Sequence, residues 1–338
     1  MTHAESNIAA SNIAAPNIAA YGIHQPGDAD QLQPIQMPEL VPAAGEVVIK
    51  QNAIGLNFID IYQRSGLYPV SLPSVLGMEG AGVVEQLGDG VTSLKVGDRA
   101  AYAGVLGGYA AYRTIQADRL VKLPESVDDQ TAAASMLRGM TAEYLIHRSF
   151  KVQAGDFVLF HAAAGGVGQI AVQWLKLLGA KVIGVVSTKE KADIVTNLGC
   201  DHVIIGRDAD IAGQVMEFTK GKKVKVSYDS VGASSYEASL NSLCPLGMLV
   251  SYGNASGPIT QMSPKDFASR GSLFFTRPSL MDYIKSRDDL ELSAGRWFDA
   301  LQKGVKVNIG QTHALSDVAK AHKLLESGAT TGASLLLP

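Results

Sequence analysis

The chain has little of several things. Only two cysteines, Cys200 and Cys244, occur in 338 residues, which excludes a disulfide framework and a four-cysteine structural zinc lobe. Charged residues make up 18% and the net charge is −3. There is no basic stripe to serve as an electrostatic footprint for nucleic acid or an acidic membrane surface, and no nucleic-acid partner is expected. No run of about eighteen apolar residues suggests a membrane span. The opening MTHAESNIAA has neither a basic n-region nor a continuous apolar core, so no secretory signal is expected and a reducing, cytoplasmic setting fits. Apolar residues reach 46%, so a large core is available and disorder is not the expected main state.

The length suits two domains. Residues 6–20 repeat SNIAA, SNIAA, PNIAA; a period of five matches neither helix nor strand, and residues 1–17 are expected to be a low-complexity extension. From there to about residue 130, short apolar or alternating runs (EVVIKQNAIG, AGVVEQLG, RAAYAG) separated by glycine turns predict a barrel-like β domain. Residues 131–149 predict a helix. Strands then alternate with helices: FVLF, KVIGVV, HVII, KVSYD, MLVSY and SLFFT, with helices over 166–178, 188–198, 210–219 and 235–243. Repeated βα units imply a parallel sheet covered on both faces. A further helix is expected over 289–303, and the C-terminal SLLLP can return to the first domain.

HAAAGGVGQI (161–170) follows the first of these strands and opens the first helix, the place where a dinucleotide-binding fold holds its pyrophosphate. Ala163, Gly165 and Gly168 give an A-x-G-x-x-G spacing. Gly165 lets backbone approach phosphate, Gly168 lets helix pack on strand, and the helix N-terminus offers N–H groups to an anion. About twenty residues on, the second strand runs into Ser187, Thr188, Lys189, Glu190 and Lys191. A hydroxyl stands where an NAD enzyme places a carboxylate, and Lys191 suits a 2′-phosphate, which favours NADPH; a solvated, mixed-charge helix start is the competing reading. GLNFIDIYQRSGLY (55–68) concentrates Asn57, Asp60, Tyr62, Arg64 and Tyr68 on an expected loop. It reads equally as a site or as a surface Asp60–Arg64 ion pair with tyrosines packed on the core.

These stretches, together with GMEGAG, GDRAAYAG, YDSVG, YGNASG and TRPSL, make residues 18–338 resemble the zinc-independent, zeta-crystallin-like quinone oxidoreductases of the medium-chain dehydrogenase/reductase superfamily. The resemblance implies an α/β protein: a GroES-like β-barrel catalytic domain (18–135 and 277–338) and a Rossmann doubly wound parallel sheet (136–276), assembled as a homodimer. It implies reduction of a small-molecule quinone by NADPH, with NADH also possible. Asn57, Tyr62, Tyr68 and Arg64 become catalytic candidates. The cofactor candidates are Asn57, Tyr62, Tyr144, Gly165, Gly166, Val167, Ser187, Lys191, Arg207, Ser230, Val231, Tyr252, Gly253, Asn254 and Pro278.

Zinc-dependent members of the superfamily place a cysteine where this chain has Asn57 and a histidine where it has Met78. Amide and thioether are poor zinc donors, so no metal is expected. A quinone suits that loss, because its product oxygen is phenol-like, with a pKa near ~10, and holds charge without a Lewis acid. Tyr62, Asn57 and Tyr68 would orient the quinone with no single obligate acid. Relatives place a tyrosine where this chain has Gly206 and an arginine where it has Gly328; Arg207 is the candidate replacement clamp. His161 is expected to satisfy turn backbone groups, Glu79 to anchor its loop, and Cys200 and Cys244 to be buried at a helix end and in a packed helix. Two alternatives stay open: reduction of the C=C bond of an enal, enone or enoyl thioester, and a non-catalytic NADPH- or RNA-binding role.

Overall fold

The structure is a computed structural model and describes residues 19–206 and 208–338. The expected extension over 1–17, with most of the SNIAA repeat, and Arg207 lie outside the described residues. The chain divides into two compact units. The first holds the described residues up to Ala133, with His313–Lys323 and Leu335–Pro338; the second holds Ala134–Thr312 and Leu324–Ser334.

In the first unit, β1 (Glu46–Leu56) runs antiparallel to β2 (Glu79–Leu87) and to β4 (Tyr112–Gln116), and β2 pairs with β3 (Arg99–Ala103). Val47, Ile49, Val84, Ala100, Tyr102 and Ile115 fill the interior, as alternation along β1 and β2 requires. The expected loop after β1 is instead a helix, α1 (Phe58–Arg64). Asn57 is its N-cap, and the Asp60 carboxylate, at the third helical position, accepts the Asn57 backbone N–H at 2.8 Å.

The second unit begins within α2 (Asp129–Tyr144), which continues as a π-helical turn over Leu145–Ser149. Its sheet comprises β5 (Phe157–His161), β6 (Lys181–Val186), β7 (His202–Ile205), β8 (Val224–Asp229), β9 (Leu243–Ser251) and β10 (Phe274–Thr276). All are parallel, in the order β7-β6-β5-β8-β9-β10. This is the doubly wound order, with its switch point between β5 and β8. The linking helices are α3 (Gly166–Leu177), α4 (Lys189–Asn197), α5 (Ile211–Phe218) and α6 (Tyr236–Ser242). Leu159, Ile183, Ile204, Val215, Leu240 and Leu249 form the core of one sheet face.

The expected return to the first domain at residue 277 comes later. Helix α7 (Arg287–Gln302) stays in the second unit, because it packs on α2. A Cβ on Gly139 would stand 2.2 Å from the Trp297 ring, so only glycine admits the indole. The Trp297 N–H donates to Ser135 Oγ at 3.2 Å, and Ser293 and Arg296 donate to the buried Glu143 carboxylate. Helix α8 (Val318–Glu326) follows, and the final strand β11 (Ala333–Leu337) lies beside β1, as SLLLP suggested.

Candidate active site

The carboxyl edge of the parallel sheet gathers most of the cofactor candidates. After β5 the chain turns through Ala162, a non-glycine residue at φ 51°, and Gly165 caps α3. A Cβ on Gly168 would meet the Ala163 and Ala162 carbonyl oxygens at 2.5 and 2.6 Å, so this glycine lets the helix approach the turn after β5 rather than the strand itself. Gly165, Gly166 and Val167 are half-exposed at the helix start. The N-cap residue has no side chain to cap the first-turn N–H groups, and the first turn carries no acidic residue. That arrangement suits an anion. At the end of β6, Ser187 is half-exposed and Thr188 caps α4. Lys191 Nζ donates to the Gly328 carbonyl at 2.7 Å. Gly206, after β7, has φ 109°, a conformation that a side chain disfavours; the absence of a tyrosine there goes with the backbone.

Between β8 and α6 a buried carboxylate organises the next two candidates. Asp229 Oδ1 accepts the N–H groups of Val231 and Gly232 at 2.8 and 3.0 Å. Its oxygens also accept the hydroxyls of Ser235 and Ser239. Ser230 and Val231 are thereby fixed half-exposed at the edge. The His161 imidazole is part of this network: Nε2 lies 2.9 Å from Ser239 Oγ. It reaches a side chain, correcting the expectation that it would satisfy turn backbone. Burial pushes its pKa down. Tyr252 and Asn254 are half-exposed after β9. Gly253 is required because a Cβ would sit 2.5 Å from the Ser230 carbonyl oxygen. Pro278 is buried. Tyr144, at the end of α2, is also buried, stacked on Tyr283 at 4.5 Å and 11°; Arg148 lies over the far ring at 5.0 Å. Sequence reading missed Tyr283, which only the fold brings to Tyr144.

In the first unit, Asn57 is pinned twice. Its backbone N–H is held by Asp60, and its side-chain Nδ2 donates to Glu79 Oε2 at 2.8 Å. Glu79 is fully buried, and its carboxylate fixes which way the amide points, leaving the second amide N–H for another acceptor. Glu79 thus anchors Asn57. Tyr62 and Tyr68 are half-exposed, and their rings meet edge-on at 5.2 Å. Phe58, one helical turn before Tyr62 and 38% exposed, extends the aromatic face; the i,i+4 spacing was the signal that could have found it. Arg64 is a correction. It is buried, donating from Nε to the Gly27 carbonyl at 3.1 Å and from one terminal nitrogen to His322 Nδ1 at 3.3 Å, so it supports α1 from within. The buried Asp60 and Arg64 likewise overturn the surface-pair reading.

The positions that carry zinc ligands in metal-dependent relatives have other duties here: Asn57 donates to Glu79, and Met78 Sδ accepts from Gln63. Among the described residues no cluster of His, Cys, Asp or Glu is arranged to hold a metal ion. Cys200 is buried and its thiol pushed up to about 11 by desolvation. Cys244 lies in β9, not in a helix, and is half-buried.

Comparison with known proteins sets these features in a family. Residues 43–125 match the alcohol dehydrogenase GroES-like domain, and residues 166–290 match the zinc-binding dehydrogenase family. A quinone oxidoreductase of Salmonella typhimurium is 46% identical, over 93% of this chain and 98% of the relative. The chain belongs to the zinc-independent quinone oxidoreductases of the medium-chain dehydrogenase/reductase superfamily. Other quinone oxidoreductases have similar solved structures. That of Pseudomonas syringae pv. tomato superposes with a TM-score of 0.93 at 45% identity, covering 95% of this chain and all of that one. That of Escherichia coli, complexed with NADPH, gives 0.92 at 43% identity over the same shares. This quinone oxidoreductase therefore pairs a GroES-like domain with a Rossmann-type sheet.

Proposed function

We propose that this enzyme reduces quinones with NADPH and without a metal ion. The observation that carries the cofactor choice is the end of β6, where Ser187 and Lys191 stand in place of a ribose-binding carboxylate. The glycine-capped start of α3 suits the pyrophosphate, and Ser230, Val231, Tyr252 and Asn254 line the same sheet edge. Bound NADPH supplies a hydride. The quinone also takes up a proton, and its phenol-like product makes the demand on the protein modest: align the ring and offer a hydrogen-bond donor. The pinned Asn57 amide and the half-exposed Tyr62 and Tyr68 are the groups for that task. Arg64 acts behind them.

The decisive assay follows the loss of NADPH or NADH absorbance with 1,4-benzoquinone and with a bulkier quinone. Quinone-dependent oxidation, faster with NADPH, is the expected result. Turnover of a 2-alkenal without any quinone reduction would replace this reading with the enal one.

The enzyme is further read as a cytoplasmic homodimer. No described helix is long and apolar enough to cross a membrane, and both cysteines are free thiols. β10 is an edge strand, and exposed Phe274 on it and Leu246 on β9 are apolar. Light scattering at twice the chain mass is the expected outcome.

A further inference from the structure

We propose that His322 is a positioning residue for the Asn57–Tyr62 segment, acting through Tyr109 and Asp60 from the other end of the chain. The proposal rests on the reading that this segment receives the quinone.

His322 lies on α8 and is completely buried, as is Tyr109. The side chains of Arg64, His322, Tyr109 and Asp60 form a chain whose polarity is determined. A guanidinium can only donate, so the Arg64 contact at 3.3 Å makes His322 Nδ1 the acceptor. The single ring proton of the neutral imidazole is then on Nε2, 2.9 Å from Tyr109 Oη. The phenol's own proton goes to Asp60 Oδ2, also at 2.9 Å. That same oxygen accepts the Asn57 backbone N–H at 2.8 Å. The two rings meet edge to face, at 87°, which directs the imidazole edge at the hydroxyl. A space-filling role would be met at lower desolvation cost by an apolar side chain. A buried polar chain with each donor matched to an acceptor instead selects one geometry, and this one ends on the cap of the helix that carries Phe58 and Tyr62. Burial and the Arg64 charge hold the imidazole pKa down to about 3, so the ring is neutral at pH 7 and can accept from Arg64.

The test uses the full-length enzyme and the variants His322→Leu, His322→Gln, Tyr109→Phe and the double His322→Leu/Tyr109→Phe. The readouts are kcat/KM for 1,4-benzoquinone, the Kd for NADPH by fluorescence titration, thermal midpoints, and amide exchange of the peptide covering residues 55–64. His322→Leu and Tyr109→Phe should each lower kcat/KM about tenfold with the NADPH Kd within about twofold. The double variant should be no worse than the worse single one, because one chain is cut twice. Glutamine, which can return a donor toward Tyr109, should recover part of the loss. Unchanged kcat/KM in folded Tyr109→Phe, additive losses, or glutamine no better than leucine would overturn the proposal. Tyr109→Phe removes one oxygen and keeps the ring, so it carries the test if His322→Leu does not fold. If the unmodified enzyme reduces no quinone, the functional reading fails by itself. Exchange then decides: faster exchange over 55–64 in Tyr109→Phe supports positioning, and unchanged exchange refutes it.

Discussion

At the scale of single residues, the buried histidines set the response to acid. His322 and His161 have pKa values held below the ordinary value of about 6.5, in both cases first by desolvation. In the unfolded chain they take up protons near that ordinary value; in the folded one they do not. Their contribution is therefore complete above about pH 6.5 and is lost as pH falls from there toward about 3 for His322. The loss is at most about 1.4 kcal/mol per pH unit for each ring. Chemical denaturation at pH 7.5 and 5.5 should show the decline, and His322→Gln should show a shallower one. Nothing local marked His322: its partners are 258 and 213 positions away in sequence. Arg64 misled for the same reason, since its spacing from Asp60 looks like an exposed helical pair and only the packing above it shows otherwise.

Elements were more legible. KVIGVV and HVII are strands to the residue, because short β-branched apolar runs at strand length stand out between helical segments. Within the loop expected over 55–68, residues 58–64 are a helix, and its signal was present: Asn57 followed by Asp60 at cap spacing, with Phe58, Ile61 and Tyr62 on one face. β9 begins at Leu243, five residues before the expected MLVSY, since Pro245 and Gly247 hid its start. The turn into α3 supplies this scale's prediction. Gly168→Ala would drive a methyl into two backbone carbonyl oxygens that cannot rotate away. The helix start must then lift, and the variant should lose about tenfold or more in NADPH affinity and several degrees in thermal midpoint. Titration of the purified variant with NADPH checks it.

For the whole molecule, the sequence placed the domain boundary at residue 277, and the packing of Trp297 on α2 moved α7 into the second unit. Trp297→Ala removes a fully buried indole and should cost about 3–5 kcal/mol, read by denaturant unfolding. By itself the sequence determined the βα rhythm, the glycine turn, the hydroxyl in place of a carboxylate at the end of the second strand, and the pairing of β-rich and α/β halves. Those are properties of neighbours along the chain, where period and turn chemistry act. Only the tertiary structure decided which side chains stand behind Asn57, which ring covers Tyr144, and where the second unit ends. Those depend on hydrogen bonds and packing between segments up to hundreds of residues apart, and desolvation there decides which polar groups are held and which stay available.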